Sequence, residues 1–400
     1  MARTRTRRLR WAGGLTAVTC AAALSAITLP AHAVPEGRIL GADEPGAVSG
    51  SYLVTLKGGT KAPSTAGKSL ADRYGAKISH TYSTVLNGYA IKADERQAKL
   101  LAADSRVASV VQDTRVTLEH TQQNPPSWGL DRIDQQNLPL DKSYTWPDSA
   151  GAGVTVYVID TGIRISHKDF GGRASYGWDF VGNDRFAADG NGHGTHVAGT
   201  VAGARYGVAK KAELVAVRVL DNSGSGTTAQ VIAGIDWVTK HAEKPAVANV
   251  SLGGYRNAQL DAAVRNSIKS GVTYTVAAGN DGLPASLYSP AGVKQAITVG
   301  AADKKDARAD FSNYGAALDL FAPGVAITSA SNKGDSAKAT YSGTSMASPH
   351  AAGTAALYLA DHRKSTPAQV SKALVALSAS GKISGRGLAS PNKLLQVPPS

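Results

Sequence analysis

Apolar and polar positions between residues 51 and 119 follow a mixed helix and strand pattern. The predicted elements, in order, are a strand at Tyr52–Leu56, a helix at Lys68–Tyr74, two strands around the Asn87-Gly88 turn, a helix at Glu95–Ala103 and a strand at Val107–Val111. This order, β-α-β-β-α-β, is the split βαβ arrangement. We therefore predict a small α+β domain of ferredoxin-like topology with its core over residues 51–119.

Periodicity is lost over residues 112–127, which end in Asn124-Pro125-Pro126. Prolines and polar residues without an apolar period are typical of linkers. We predict a linker or cleavage zone in this stretch.

Strands then alternate with helices along the remaining chain. Apolar strands are predicted at Val154–Ile159, Leu214–Leu220, Val247–Leu252, Tyr274–Ala278 and Ala296–Gly300, and helices at Thr228–His241 and Gln259–Lys269. Continuous apolar strands separated by helices indicate a mostly parallel sheet covered on both faces. The prediction is a doubly wound α/β domain, in which ligands bind beyond the carboxyl ends of the strands.

The N-terminus has the pattern of a secretory signal. Five arginines precede the apolar stretch Leu15–Leu29, and Ala31-His32-Ala33 provides small residues for cleavage after Ala33. We predict a secreted protein with a signal peptide at 1–33, a small domain at 34–120 and a large domain at 121–400. The Arg7-Arg8 pair leaves both the general and the twin-arginine export route open.

The one cysteine, Cys20, lies inside the apolar stretch of the signal. Its removal with the signal leaves the mature chain without disulfides. The apolar run continues past Cys20, which argues against lipid attachment there. Core packing and bound calcium are then the candidates for what stabilises the mature chain.

Composition and charge narrow the class of protein. With 42% hydrophobic and 18% charged residues the chain is a folded protein, and no apolar run outside the first thirty residues could span a membrane. The net charge of +13 divides into +5 in the signal, +2 over residues 34–120 and +6 beyond. No Lys/Arg cluster interleaved with aromatics is present, so we expect neither nucleic acid nor, after signal removal, a membrane as partner.

Three polar residues in small-residue surroundings are candidates for chemistry. Asp160 ends an apolar strand, His193 lies among glycines, and Ser345 begins a long helix that reaches Asp361. Taken singly, each has a structural alternative, such as a helix cap for the acid and the serine. His193 and His196 could also bind a metal, although no Glu follows His193 as in the metalloprotease motif.

Five sequence blocks in order are more specific than any single residue. They are Asp160–Ile163, His193–Thr200, Ser251–Gly254, Ala277–Asn280 and Gly343–His350. Together they resemble the subtilisin-like serine proteases, and within them the proteinase K and aqualysin group. The resemblance covers nearly the whole chain and implies a subtilisin-like fold for the large domain.

The resemblance implies an Asp-His-Ser triad of Asp160, His193 and Ser345. Serine is a weak nucleophile, so His193 would take its proton while Asp160 orients the imidazole. Asn280 would donate to the oxyanion together with the Ser345 N–H. An α/β-hydrolase would need Gly-x-Ser-x-Gly with a later histidine, and Ala347 breaks that motif.

The resemblance also implies a groove for an extended peptide. Its edges and pocket wall would be Ser223, Gly224, Ser225, Gly226, Ser251, Leu252, Gly253, Gly254, Ala277, Ala278 and Gly279. Backbone groups along such edges bind peptide as an added strand. The small, uncharged wall predicts broad specificity for apolar or aromatic side chains of protein and peptide substrates.

One to three structural calcium sites are implied in the same way. The predicted ligands are Asp131, Asp134, Gln135, Asp141 and Ser143 for the first, Asp179 and Asp184 for the second, and Asp319 with the carbonyls of Lys294 and Ala296 for the third. Lys142 and Ser143 stand where relatives commonly have Asn, and Lys294 where they usually have proline. Each aspartate could instead be a cap or a surface charge.

The small domain resembles the inhibitor prodomain of these proteases. It would assist folding, inhibit the enzyme intramolecularly and be cut near His120-Thr121, and we expect the product to be a monomer. Two competing hypotheses remain: a secreted pseudoenzyme that keeps only the peptide groove, and a metal-dependent hydrolase that uses His193 and His196.

Overall fold

The computed structural model describes residues 36–42, 47–114 and 120–399, and the chain divides into two units at Arg115/Val116. The predicted signal peptide, Cys20 and the Ala33 cleavage site lie outside the described residues. The predicted boundaries at residues 33 and 120 stay predictions. None of the described helices is both long and apolar enough to cross a membrane.

The first unit has one sheet and two helices. Its elements are β1 (Ile39–Leu40), β2 (Ala47–Leu56), α1 (Thr65–Arg73), β3 (Lys77–Tyr82), β4 (Gly88–Lys92), α2 (Glu95–Ala102) and β5 (Val107–Thr114). The strand order β1-β5-β2-β4-β3 contains the predicted split βαβ, with β1 added parallel to β5. Leu70 of α1 and Leu101 of α2 are buried against the sheet. The predicted α+β fold is confirmed.

Part of the predicted linker is a strand. Residues His120–Gln123 form β6, which pairs antiparallel with β7 (Ser143–Trp146), and residues 112–114 complete β5. The prediction of a linker is wrong at these positions. The partner strand lies twenty residues further along, so local periodicity could not reveal it.

The rest of the second unit alternates strands and helices. After α3 (Trp128–Ile133) its elements are β8 (Thr155–Asp160), β9 (Ala174–Asp179), α4 (His193–Ala202), β10 (Glu213–Arg218), α5 (Thr228–His241), β11 (Ala246–Val250), β12 (Gly254–Tyr255), α6 (Ala258–Lys269), β13 (Thr273–Ala277), β14 (Tyr288–Ser289), β15 (Ile297–Ala302), β16 (Leu320–Pro323), β17 (Ile327–Ala330), β18 (Lys338–Tyr341), α7 (Thr344–Asp361), α8 (Pro367–Leu377), β19 (Ala379–Ser380) and β20 (Lys393–Leu394).

Nine of these strands form the main sheet, in the order β19-β20-β16-β15-β13-β11-β8-β10-β9. Neighbouring strands are parallel except for β19 and β20. The predicted doubly wound, mostly parallel architecture is confirmed.

Strand β8 shows why both faces of the sheet are apolar. Val156 and Val158 pack in a core with α4 and α7, whereas Tyr157 and Ile159 pack in a second core with α5 and α6. Because alternate side chains of a strand point to opposite faces, helices on both sides require an unbroken apolar strand.

Successive strands of the chain are placed on opposite sides of β8 in the main sheet. Strands β9 and β10 lie on one side of β8, and β11 begins the other side. At such a switch point the loops leaving neighbouring strands diverge and open a crevice at their carboxyl ends. Asp160 is the last residue of β8 and therefore lies at this crevice.

A buried ion pair joins α3 to a loop after β15. Arg132 is fully buried, and its Nε and Nη2 donate to Asp306 Oδ1 and Oδ2 at 2.7 and 2.9 Å. Its Nη1 donates to the Gln135 carbonyl at 2.6 Å. The pair thus satisfies two charges away from water.

We predict that Arg132→Met lowers the free energy of unfolding by about 3 to 5 kcal/mol, because Asp306 is left as a buried, uncompensated charge. Lys240→Met, which removes the exposed Lys240–Asp236 pair, should cost at most about 0.5 kcal/mol. Denaturant unfolding in the Ser345→Ala background, which lacks the predicted nucleophile, measures both. Equal effects of the two substitutions would contradict the prediction.

Candidate active site

Asp160 and His193 form a hydrogen-bonded pair at the crevice. Asp160 is fully buried, and its Oδ1 accepts from His193 Nδ1 and from the Thr161 N–H, each at 2.7 Å. His193 is the first residue of α4, and its side chain is 26% exposed. The pair therefore presents the imidazole to the crevice while the carboxylate stays behind it.

The surroundings of His193 favour its charged form. Burial lowers the pKa of His193, but the adjacent Asp160 carboxylate and its hydrogen bond raise it by more, and Asp189 adds to the rise. The net effect is a pKa above the ordinary 6.5. An imidazole beside a buried carboxylate can hold a proton that it takes from another group.

Ser345 lies in the first turn of α7. Its hydroxyl donates to the Ser251 carbonyl at 2.9 Å, and the Ser251 hydroxyl donates to the Ser345 carbonyl at 2.9 Å. Ser345 and His193 line the same groove, but the Ser345 hydroxyl bonds to Ser251 in this structure.

Asn280 has a fixed orientation beside Ser345. Its Oδ1 accepts from the Thr344 N–H at 2.8 Å and from the Thr344 hydroxyl at 2.9 Å. The carbonyl end of the amide is thereby assigned, which leaves the NH2 group as a donor at the groove.

One groove of about 820 Å³ contains every residue that the sequence analysis gave to peptide binding. These are Ser223, Gly224, Ser225, Gly226, Ser251, Leu252, Gly253, Gly254, Ala277, Ala278 and Gly279. Asp221 shapes the first edge, because its Oδ1 accepts from the N–H groups of Ser223 and Ser225. The edge itself is exposed, which leaves it open to a peptide backbone.

The wall after β13 is held from behind. Asn313, itself buried, donates to the Ala278 carbonyl at 2.9 Å and accepts from the Leu283 N–H at 2.9 Å. Gly279 has a φ of +103°, and a Cβ there would collide with the Asn313 amide. Only glycine both adopts this positive φ without strain and leaves room for the Asn313 amide.

His196 does not face the groove. It is buried, its Nε2 bonds to the Ile327 carbonyl at 2.9 Å, and its ring stacks on Tyr341. Burial lowers the pKa of His196 to about 4, so the ring is neutral. The structure thus separates the two histidines of the metal-hydrolase hypothesis.

The first predicted calcium cluster fits a cation. Asp131 and Asp134 each have one buried carboxylate oxygen without a partner, while the other oxygen accepts from the N–H of Lys142 and Thr145 respectively. Burial, with a smaller contribution from nearby Asp141, raises the pKa of Asp134 to about 7 and raises that of Asp131. Buried oxygens without donors are the chemistry that Ca²⁺ prefers.

The remaining residues of that cluster are hydrogen-bonded to one another. Gln135 Oε1 accepts from the Asp141 N–H at 3.1 Å, and Asp141 Oδ1 accepts from the Ser143 hydroxyl at 2.6 Å. Within residues 36–42, 47–114 and 120–399, no three His, Cys, Asp or Glu side chains converge as ligands. A cation here would take its remaining ligands from amide, hydroxyl or carbonyl oxygens.

The second and third predicted sites differ in their surroundings. Asp179 Oδ2 accepts from Arg218 Nη1 at 2.5 Å, and Asp179 Oδ1 accepts from two N–H groups, so a guanidinium already compensates the charge of Asp179 at this site. Asp319 Oδ2 accepts from the Thr298 N–H at 2.8 Å, and burial raises the pKa of Asp319 to about 6. Lys294 and Ala296 immediately precede β15, which contains Thr298.

The sequence analysis missed the residues that hold the site from behind. Asp189 accepts five hydrogen bonds around the start of α4, Thr344 orients Asn280, and Asn313 holds the pocket wall. Of these residues, only Asp189 could have been noticed from the sequence. The N-cap residue of α4 is Gly192, which has no side chain to cap the helix, and Asp189 is an acidic residue three positions before it. The roles assigned from sequence to the groove, triad and calcium residues stay predictions.

Comparison with protein families matches both units. The family described as Subtilase family matches residues 151–390, and the one described as Peptidase inhibitor I9 matches residues 51–119.

Individual relatives span most of the chain. An extracellular serine proteinase of Thermus sp. (strain Rt41A) is 46% identical over 389 residues, which cover 92% of this chain and 94% of the relative. A cuticle-degrading serine protease of Arthrobotrys oligospora is 41% identical over 394 residues, covering 93% and 96%. The solved structure of a cold adapted subtilisin-like serine proteinase is 51% identical with a TM-score of 0.67, covering 68% of this chain and 98% of that one.

We predict that Asp160→Asn lowers the pKa of His193, because burial then acts against a weaker attraction for the imidazolium. The measurement is the pH dependence of the His193 imidazole NMR shifts in a Ser345→Ala chain. Asp236→Asn, an exposed carboxylate of α5, is the control and should leave the His193 pKa in place. A His193 pKa that rises or stays constant in Asp160→Asn would contradict the electrostatic argument.

Proposed function

This chain belongs to the subtilase family of serine endopeptidases, and from that premise we propose that Asp160, His193 and Ser345 form its triad. The observation that carries the proposal is the buried Asp160–His193 pair in the groove that also contains Ser345. The substrates are extended segments of proteins, cut with broad preference for apolar or aromatic side chains.

The triad transfers an acyl group through Ser345. Rotation of the Ser345 hydroxyl from the Ser251 carbonyl toward His193 Nε2 begins the reaction, and His193 takes the proton as Ser345 Oγ attacks the peptide carbonyl. Asp160 holds Nδ1 and stabilises the imidazolium. His193 then gives the proton to the leaving amine, and water hydrolyses the acyl-enzyme by the same steps in reverse.

Two donors stabilise the oxyanion of the tetrahedral intermediate. The Asn280 NH2 group is one, oriented by the bonds from Thr344 to its carbonyl oxygen. The Ser345 N–H is the other, since the first N–H groups of a helix have no partner within it. Losing one such donor typically reduces kcat by a factor of about 10² to 10³.

The groove recognises peptide by backbone and pocket contacts. The exposed edge at Ser223–Gly226 and the segment Ser251–Gly254 offer backbone N–H and C=O groups on either side of an extended substrate. Ala277, Ala278 and Gly279 line the pocket with small apolar surface, which suits a large apolar side chain and imposes little discrimination within that class.

The first unit acts as an intramolecular inhibitor and folding aid, and the chain is secreted as a zymogen. The inhibitor family match over residues 51–119 and the relative named as an extracellular serine proteinase support this proposal. Cleavage near His120-Thr121 by the chain's own active site would produce the mature enzyme, which we expect to act as a monomer.

We predict that Ser345→Ala stays uncut, whereas the wild-type chain is recovered as two pieces divided near residue 120. Removal of the nucleophile blocks acyl transfer. Intact masses of the exported proteins and hydrolysis of a peptide amide by each measure the result. Ser342→Ala, a change three residues away that removes only an acceptor for the Ala326 N–H, should process and hydrolyse like the wild type.

If Ser345→Ala were cut at the same position as the wild type, another protease would be responsible for maturation. If the wild type were neither cut nor active, the pseudoenzyme hypothesis would replace this one.

We also propose that Asp131, Asp134 and Asp141, with Gln135 and Ser143, hold a structural Ca²⁺. The support is the two buried carboxylate oxygens that lack donors. A divalent cation would neutralise the cluster and join α3 to the segment before β7, which replaces part of the stability that disulfides give other secreted proteins. The Asp179/Asp184 pair and Asp319 with the carbonyls of Lys294 and Ala296 are further candidates.

We predict a crossover in stability for Asp134→Asn in the Ser345→Ala background. Without Ca²⁺ the variant should be at least as stable as its parent, because a buried uncompensated charge is gone. With Ca²⁺ at a hundredfold excess over its Kd the parent should gain about 2.7 kcal/mol and the variant much less.

Thermal unfolding with and without Ca²⁺ tests this prediction, with Asp236→Asn as a control that responds like the parent. An equal calcium gain in Asp134→Asn would place the bound ion elsewhere.

A further inference from the structure

The start of α4 depends on residues outside the helix. Its N-cap residue is Gly192, which has no side chain to accept from the first N–H groups. Asn191 Oδ1 accepts from the His193 N–H at 3.1 Å, Thr161 Oγ1 from the Gly194 N–H at 2.9 Å, and Asp189 Oδ2 from the Thr195 N–H at 2.9 Å. His193 is therefore placed by its preceding loop.

Asp189 connects these contacts. Its Oδ1 accepts from the N–H groups of Asn191 and Gly192 at 2.9 and 2.8 Å and from the Thr161 hydroxyl at 2.9 Å. Its Oδ2 accepts from the N–H and the hydroxyl of Thr195 at 2.9 and 2.5 Å. One half-buried carboxylate thus ties the end of β8, where Thr161 follows Asp160, to the start of α4.

The same carboxylate acts on the charge of His193. The helix N-terminus at His193 disfavours an imidazolium, and a carboxylate beside it opposes that effect. The ionisable groups that act on His193 are Asp160 at the end of β8 and Asp189 in the loop, while buried His196 of α4 is neutral. Burial lowers the pKa of His193, whereas both carboxylates raise it, and the effect of Asp160 is larger than that of Asp189.

We propose that Asp189 is a positioning residue of the proteolytic reaction, which sets the geometry of the Asp160–His193 pair and adds to the stability of the imidazolium. The inference rests on the proposed triad. Asp189 lies behind the reacting groups and acts through His193, so its loss should affect proton transfer and leave substrate binding intact.

An amide cannot replace this carboxylate. All five contacts of Asp189 are donors, divided between both oxygens, so the NH2 group of an asparagine would face either the Thr195 donors or the donors of residues 161, 191 and 192. Asp189→Asn therefore breaks one half of the network and removes the charge with almost no change in volume.

The matched control is Asp169→Asn at the other end of α4. Asp169 is a buried carboxylate, whereas Asp189 is half-buried, and Asp169 Oδ1 accepts from the Arg205 N–H at 2.8 Å just after the helix ends. Asp169 does not act on the charge of His193. The Asp169→Asn variant therefore distinguishes a loss of helix stability from an effect on the Asp160–His193 pair.

We expect Asp189→Asn to lower kcat by about tenfold to a hundredfold with KM nearly unchanged, since misplacement of a reacting group acts on the chemical step. The acid limb of the pH profile of kcat/KM should move to lower pH. Without the Asp189 charge the pKa of His193 falls, so the neutral imidazole that acts as the base persists to lower pH. His193 NMR titration in the Ser345→Ala chain, which needs no processing, should show the same direction. Asp169→Asn should reduce thermal stability and leave kcat and the limb unchanged.

If Asp189 had only a structural role, both variants would unfold at a lower temperature. The kcat, the acid limb of the pH profile and the His193 pKa of Asp189→Asn would then equal those of the wild type, and this result would overturn the inference. A rise in KM with constant kcat would also overturn it, since the effect would then lie in the groove. Failure of the proposed triad is distinguishable, because Ser345→Ala would then keep activity whatever Asp189→Asn does.

Discussion

The hydrogen bond between the buried Asp160 and His193 links the end of strand β8 to the start of helix α4. Asp160 is fully buried, and its Oδ1 accepts from His193 Nδ1 and from the Thr161 N–H, whereas its Oδ2 is buried without a hydrogen-bond partner. Burial of a polar group is costly unless it is hydrogen-bonded, so the contact with His193 is important for this carboxylate. The switch point at β8 brings α4 to the end of that strand. The position of this contact therefore depends on the strand order around β8 and on where α4 begins, and the proposed acid–base chemistry depends on the contact.

Several residues that face the groove are held in place by hydrogen bonds from residues behind them. Asn249, fully buried, donates to Ser251 and accepts from Ser348, and Ser251 in turn bonds to Ser345. Thr344 does the same for Asn280, and Asn313 for the pocket wall. The groove can be open to water because these satisfied polar contacts keep its parts in one arrangement.

Charges inside the second unit differ in how they are compensated. Arg132 and Asp306 neutralise each other, and Arg218 neutralises Asp179. Asp131 and Asp134 have no such partner side chain and each keeps one buried oxygen free of donors. This difference is the reason that we propose a cation at the Asp131/Asp134 cluster, whereas at the second predicted site Arg218 already pairs with Asp179.

The sequence alone predicted both fold classes and the main alternation of strands and helices, because apolar periodicity is a local property, and short motifs shared with a known family supplied the candidate groove residues. It could not find β6, whose partner strand is distant, nor the roles of Asn249 and Asn313, whose contacts with Ser348 and Ala278 join segments far apart in the chain. The tertiary structure also decided that His196 faces Ile327 and that Arg218 meets Asp179. Contacts of this kind depend on packing and are not encoded in any local pattern.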